Sequence, residues 1–237
     1  MTPDPTAYDN AAFIPDGPAY FDRWAAAAAA FRARARGVRT GLSYGPGERE
    51  RFDLFLPATV PEGLMVFVHG GFWRMGDRTL WSHLAAGPVG AGWACALPSY
   101  PLAPGARIAQ ITRAVARALP AMAETVAGPI VLAGHSAGGH LVARMLCPDA
   151  GLPPAVRERI ARVLAISPLG DLAPLIDMPM NADLRLDAAQ AAAESPVNCP
   201  APDLPVQIVV GAQERPAFLD QARRLARAWP GATLAVL

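Results

Sequence analysis

Ser136 stands in Gly134-His135-Ser136-Ala137-Gly138, where the apolar run Ile130-Val131-Leu132-Ala133 gives way to the helix-forming Leu141-Val142-Ala143. A serine between two glycines at a strand-to-helix junction is the pattern of a nucleophile elbow. The glycines permit a turn too tight for side chains and leave the hydroxyl exposed above the strand end. The five-residue pattern is short enough to arise by chance, so its weight comes from the strand and helix that flank it. Ser136 is the candidate nucleophile.

A second glycine-bearing stretch, His69-Gly70-Gly71-Phe72-Trp73, follows the buried-looking strand Leu64-Met65-Val66-Phe67-Val68. It resembles the HGG oxyanion loop of serine esterases. Bare backbone N–H groups can approach a carbonyl oxygen closely and meet the negative charge of a tetrahedral intermediate. Gly70 and Gly71 are expected to donate together with the amide of Ala137, the residue after the nucleophile. Phe72, Trp73 and Trp81 are candidates for an apolar pocket suited to an aromatic ring, and core packing accounts for each equally well. His69 is expected to hold the loop in shape and not to act as a base.

The elements that must position these residues can be read from periodicity. The Pro/Asp-rich residues 1–18 predict an irregular arm that wraps the domain or covers the site. Phe21, Trp24, Ala28 and Phe31 fall on helical spacing between Tyr20 and Arg36, and Gly37 ends that helix. Arg51 to Leu56 alternates as a half-buried edge strand would. Further strands are expected at Met65 to Val68, Trp93 to Leu97, Ile130 to Ala133, Val163 to Ile166, Val206 to Val210 and Thr233 to Leu237. Helices are expected near Leu80 to Val89, Ala106 to Val126, Ala137 to Leu146 and Ala217 to Ala228. This alternation predicts a single α/β domain over residues 1–237. Its sheet should be mostly parallel, with helices on both faces and catalytic loops at the carboxyl ends of the strands. The Pro- and Ala-rich residues 168–205, weaker in periodicity, are expected to form a small cap.

The 237 residues are 52% hydrophobic and 17% charged, with a formal net charge of +1. That balance gives no electrostatic case for nucleic acid, an anionic membrane or a strongly acidic substrate. Arg32, Arg34 and Arg36 spread around a helix and suit a solvated surface. Cys95, Cys147 and Cys199 lack metal-ligand spacing and are expected to be free, buried thiols, with no metal or organic cofactor implied. The N-terminal residues lack a signal-peptide pattern and no apolar run spans a membrane, so a cytoplasmic setting is the default. A small-molecule substrate is the expected partner, and a homodimer is left open.

Taken together, these residues resemble the α/β-hydrolase fold, and within it the branch of hormone-sensitive-lipase-like esterases and kynurenine formamidases. The formamidases share HGG, a variable residue and Trp, as in His69 to Trp73. Three further stretches agree. Tyr44-Gly45 precedes Asp53-Leu54-Phe55-Leu56-Pro57, the elbow continues as Gly138-Gly139-His140-Leu141, and Glu194-Ser195-Pro196-Val197 precedes the next strand. The resemblance implies a hydrolase of small amides or esters, most like N-formylkynurenine formamidase, acting through a serine acyl-enzyme. A general short-chain carboxylesterase and a non-catalytic binding protein are the alternatives.

By the same resemblance the triad acid lies in Gly211-Ala212-Gln213-Glu214-Arg215-Pro216, where Glu214 stands in place of the family's usual Asp. Asp171 is the reserve, with a helix N-cap as its plainer role. The triad order Ser, Asp/Glu, His places the base last. No histidine follows His140, and the resemblance would place it just beyond the last strand, so either the sequence is truncated there or the protein works without that residue. His135 is expected to point away from Ser136 and His140 to lie beneath the sheet, which leaves His83 as a substitute base.

Overall fold

The computed structural model, which describes residues 4–237, gathers the apolar runs into one eight-stranded sheet in the order β1-β2-β4-β3-β5-β6-β7-β8. The strands are β1 (Gly37–Ser43), β2 (Arg51–Leu56), β3 (Leu64–Val68), β4 (Ala94–Pro98), β5 (Ile130–His135), β6 (Ile160–Ile166), β7 (Val206–Val210) and β8 (Thr233–Val236). β2 runs antiparallel to both β1 and β4, and the other neighbouring pairs are parallel. The α-helices are α1 (Ala19–Arg34), α2 (Ala86–Gly90), α3 (Ile108–Ala123), α4 (Ala137–Arg144), α5 (Pro154–Arg157), α6 (Asn181–Leu184), α7 (Ala188–Glu194) and α8 (Pro216–Ala228). Central parallel strands are covered on both faces, which is why β3 and β4 read as unbroken apolar runs.

Arg51 to Leu56 is an interior strand and not the edge strand that its alternation suggested. Phe52, Asp53, Leu54 and Phe55 are all buried, and β1 takes the edge. The Asp53 carboxylate, which produced the alternation, is satisfied inside the protein. It accepts from Gly41 N (2.8 Å), at the irregularity in β1, and from Arg78 Nε (2.8 Å). A charge this buried is tolerated because it is paired and hydrogen-bonded. The helix expected at Leu80 to Val89 is a 3-10 stretch, Arg78–Ala85, followed by the short α2. Gly87, Pro88 and Gly90 prevent a longer regular helix.

Residues 168–205 pack into the main core through Leu169, Leu172, Leu175 and Leu184. Their anchor is Glu194 at the end of α7, which accepts from Thr112 Oγ1 on α3 (2.7 Å) and from Arg144 Nε on α4 (3.3 Å). Arg144 also holds Asp149 through both terminal nitrogens, at 3.0 and 2.8 Å. This forked geometry is the strong form of a guanidinium–carboxylate pair.

The expectation of three free thiols is corrected at two of them. Cys147 and Cys199 form a disulfide, with Cα atoms 5.6 Å apart and a sequence separation of 52. It joins the end of α4 to the segment after α7. Cys95 alone is free, and burial pushes its thiol up to about 12. Closing a loop of this length restricts the unfolded chain enough to stabilise the fold by about 4 kcal/mol. Cys199→Ser, or reduction, is therefore expected to lower the denaturant midpoint markedly. An unfolding curve that does not respond to reductant would mean that the two thiols are not bonded in solution.

Candidate active site

Ser136 sits between β5 and α4 with φ 55° and ψ −117°, a strained conformation for a residue with a side chain. Backbone contacts on both sides hold it there. Ser136 N donates to Ile166 O (2.8 Å) on β6, and Ser136 O accepts from His140 N (3.0 Å) in α4. Gly138 lets α4 start so close to β3 that a Cβ at that position would overlap the Val68 carbonyl oxygen. Ser136 is only 5% exposed, and it lines a cavity of about 650 Å³. Among the described residues its hydroxyl has no hydrogen-bond partner.

The loop after β3 lies beside it. A Cβ on Gly70 would come within 3.2 Å of Ser136 Cβ, which places the Gly70 backbone against the serine. Gly71 (φ 114°), Phe72 (φ 51°) and Trp73 (φ 56°) are three successive residues with positive φ, and the loop is locked from beneath by His69. The buried His69 ring donates from Nδ1 to Gly70 O (2.7 Å) and stacks on Tyr100 at 4.3 Å, while Tyr100 Oη donates to His69 O (2.8 Å). Burial lowers the His69 pKa to about 4, so the ring is neutral at ordinary pH. Phe72 lines the cavity and Trp73 does not. Trp73 is fully buried, edge-on to His140 at 5.1 Å, so its indole packs the core and the substrate-binding expectation for it is corrected.

Glu214, in the loop after β7, reaches the same cavity. Its Oε1 accepts from Ser167 Oγ (2.5 Å) and Gly211 N (2.8 Å), and its Oε2 accepts from Asn10 Nδ2 (2.9 Å). A carboxylate has about four acceptor positions, so one remains for a further donor. Asp171 is spent elsewhere: it accepts from Ala173 N (3.0 Å) and pairs with Arg224 (2.9 Å), away from the cavity.

The histidines divide differently from the sequence expectation. His135, set aside as a base on sequence grounds, is among the residues that line the cavity together with Ser136 and Glu214. The surrounding protein pushes its pKa down, partly offset by the charge of Glu214. His83 lines the same cavity farther along, its ring stacked beside Trp81 at 6.5 Å, and burial lowers its pKa. His140 is sealed in the core, where Nε2 donates to Glu194 O (2.7 Å) and burial lowers its pKa to about 3.

No residue of 168–205 lines the cavity, so that segment is not its cover. The hydrophobic leucines that weak periodicity concealed draw it into the core instead. The wall comes from the N-terminal arm through Tyr8, Asn10 and Ile14, and from α1 through Tyr20, Phe21 and Trp24. Trp24 meets Trp81 with ring centroids 4.9 Å apart, which closes an aromatic flank between α1 and the stretch after β3. Asn10 and Ser167 carried no motif that could have marked them. Among the described residues, Cys147, Asp149 and Cys199 also cluster, but the sulfurs are bonded to each other and the carboxylate is held by Arg144.

Residues 65–233 match the sequence profile of a family with the alpha/beta hydrolase fold. The chain belongs to the α/β-hydrolase family. It is 30% identical over 174 residues to kynurenine formamidase of Salmo salar, covering 69% of this chain, and it spans only 58% of that relative's length. It is 27% identical over 220 residues to kynurenine formamidase of Danio rerio, covering 86% of this chain and 73% of the relative. A crystal structure from Silicibacter sp. TM1040, provisionally named a thioesterase, is 52% identical with a TM-score of 0.94, over 97% of this chain and 88% of that one. Esterase B from Lactobacillus rhamnosis, at 19% identity and a TM-score of 0.70 over 92% of this chain and 83% of that one, shares the fold. In this α/β-hydrolase, Ser136, Gly70 and Glu214 all lie at the carboxyl ends of parallel strands, where ligands of open α/β sheets bind.

Buried His69 and His140 also set a pH dependence. Their folded pKa values, about 4 and about 3, lie below the ordinary histidine value of 6.5. The unfolded chain therefore binds more protons across that interval, and stability rises with pH through it. Going from pH 7 to pH 5 is expected to cost about 2 kcal/mol for each ring. His140→Gln should lower stability at pH 7 and remove about half of this slope in urea titrations; an unchanged slope would show that the ring is not buried neutral.

Proposed function

We propose that the chain is a serine hydrolase of small amides or esters, with an aryl formamide as the best-supported substrate. The observation that carries this reading is the convergence of a strained Ser136, the Gly70-Gly71 backbone and the Glu214 carboxylate on one cavity with an aromatic flank. Two relatives named kynurenine formamidase support the formamide, and the Trp24, Trp81 and Phe72 wall supports an aromatic leaving group.

In this mechanism Ser136 Oγ attacks the carbonyl carbon while its proton passes to a base. The amides of Gly70, Gly71 and Ala137 accept the developing oxyanion as hydrogen-bond donors. Collapse of the tetrahedral intermediate breaks the bond to nitrogen or oxygen, and the base returns the proton to the departing amine or alkoxide. Water then attacks the acyl-serine by the same route in reverse, releasing formate when the acyl group is formyl. Glu214 orients the imidazolium that forms and stabilises it without itself taking the proton. His135 and His83 are the imidazoles of this chain that line the same cavity as Ser136 and Glu214.

Turnover of N-formyl arylamines against short nitrophenyl esters, combined with fluorophosphonate labelling and peptide mapping, tests the reading. Ser136 is expected to carry the label, and Ser136→Ala to lose about a thousandfold or more in kcat. Faster turnover of short esters than of formamides would turn the assignment to a carboxylesterase. Labelling that survives in Ser136→Ala would overturn the nucleophile. An unlabelled wild-type chain would leave a binding protein, a reading favoured by the lack of any imidazole bonded to Ser136 among the described residues. Loss of labelling in His135→Ala would make His135 the base.

A further inference from the structure

We infer that Asn10 is a positioning residue for the Glu214 carboxylate, which makes the N-terminal arm part of the catalytic machinery; this rests on Glu214 being the triad acid. The Asn10 amide is used at both ends. Its Nδ2 donates to Glu214 Oε2 (2.9 Å), and its Oδ1 accepts from the backbone N of Arg215 (2.9 Å). Asparagine is suited to this double task, because its amide places a donor and an acceptor side by side.

The arm is fixed on both sides of Asn10, so the amide is presented by a rigid segment. Arg215 pairs with Asp4 (2.7 Å) and lays its guanidinium over the Phe13 ring, 4.0 Å from the centroid. Tyr8 accepts from Gln221 Nε2 (3.1 Å) and meets Phe218 edge-on with centroids 5.6 Å apart. Every one of these partners belongs to α8 or to the loop that carries Glu214. The arm and the acid therefore dock as one unit.

The need for such a holder follows from the length of glutamate. Ser167 and Gly211 both hold Oε1, and Asn10 is the donor to Oε2 among the described residues. Without it the carboxylate can turn about its last bond, and the acceptor position that faces an imidazole is no longer fixed.

The test compares Asn10→Asp with Asn10→Ala in the whole chain, reading kcat and KM on the formamide or ester that the wild type turns over. Aspartate keeps the acceptor for Arg215 N and so preserves the arm, but it faces Glu214 with a second negative oxygen in place of the donor. Both variants are expected to lose about tenfold or more in kcat, with aspartate at least as impaired as alanine and its thermal midpoint near wild type. Wild-type kcat in Asn10→Asp, with the loss confined to alanine, would reduce Asn10 to an anchor of the arm and overturn the proposal. A change confined to KM would overturn it in the same way. Glu214→Ala run in parallel separates the two levels. If that variant keeps full activity, the triad reading fails and the role of Asn10 fails with it; if it is inactive while Asn10→Asp is normal, only the role of Asn10 fails.

Discussion

The site depends on one close approach of backbone to backbone, where the first turn of α4 rests on the end of β3 at Gly138 and Val68. No residue but glycine fits there, and once α4 is pressed that near, the chain leaving β5 has room only for the strained turn at Ser136. The strain is offset by the hydrogen bonds from Ser136 N to Ile166 and from His140 N to Ser136, so β6 and α4 share the load. The same contact fixes the neighbouring loop. The end of β3 that supports α4 is where His69 begins, and Gly70 reaches the serine because both are tied to that strand end. Nucleophile and expected oxyanion donors thus stand in register through a single packing constraint.

The cavity above them is built on another principle. Its floor comes from the ends of the adjacent strands β3, β5, β6 and β7, but its flank comes from the first helix and the arm before it. The aromatic contact between Trp24 and Trp81 joins that helix to the stretch after β3, and the Asp53–Arg78 pair anchors the start of this stretch to the interior of the sheet. Orientation of the flank therefore passes through a buried charge pair, whose loss would leave an uncompensated carboxylate inside the protein. Shape of the pocket and stability of the edge of the sheet are coupled at Asp53.

How much of this was legible in the sequence follows from the range of each interaction. The elbow was legible because its requirements fall within five consecutive residues between a strand and a helix. The central parallel strands β3, β4 and β5 were legible because burial on both faces writes them as apolar runs. β1 was not, since an edge strand with two glycines, an arginine, a threonine and a serine carries little apolar pattern. Phe72 and Trp73 had equal claim to the pocket, and only the left-handed turn of their loop sends one ring to the cavity and the other to the core. The disulfide was hidden because spacing alone does not reveal which distant cysteines meet. The covering role assigned to 168–205 failed for a similar reason, as its leucines are spaced by irregular turns and not by a helical period.

The glutamate at 214 brings these threads together. A triad acid has to hold an imidazole in one orientation, and each additional rotatable bond in its side chain makes that harder. Aspartate meets the requirement with a short side chain, whereas glutamate here must be restrained from outside. Two restraints are local to the sheet: Gly211 N from its own loop and Ser167 Oγ from the end of β6. Ser167 also has a positive φ (45°), so its hydroxyl is aimed by the backbone and not by a free rotamer alone. The third restraint, Asn10, comes from the far end of the sequence. An acid held by three donors is as fixed as a shorter one, but its geometry then depends on the arm being in place. The departure from aspartate and the recruitment of the N-terminal arm to the cavity are thus two sides of one structural solution, and neither can be judged from the loop sequence alone.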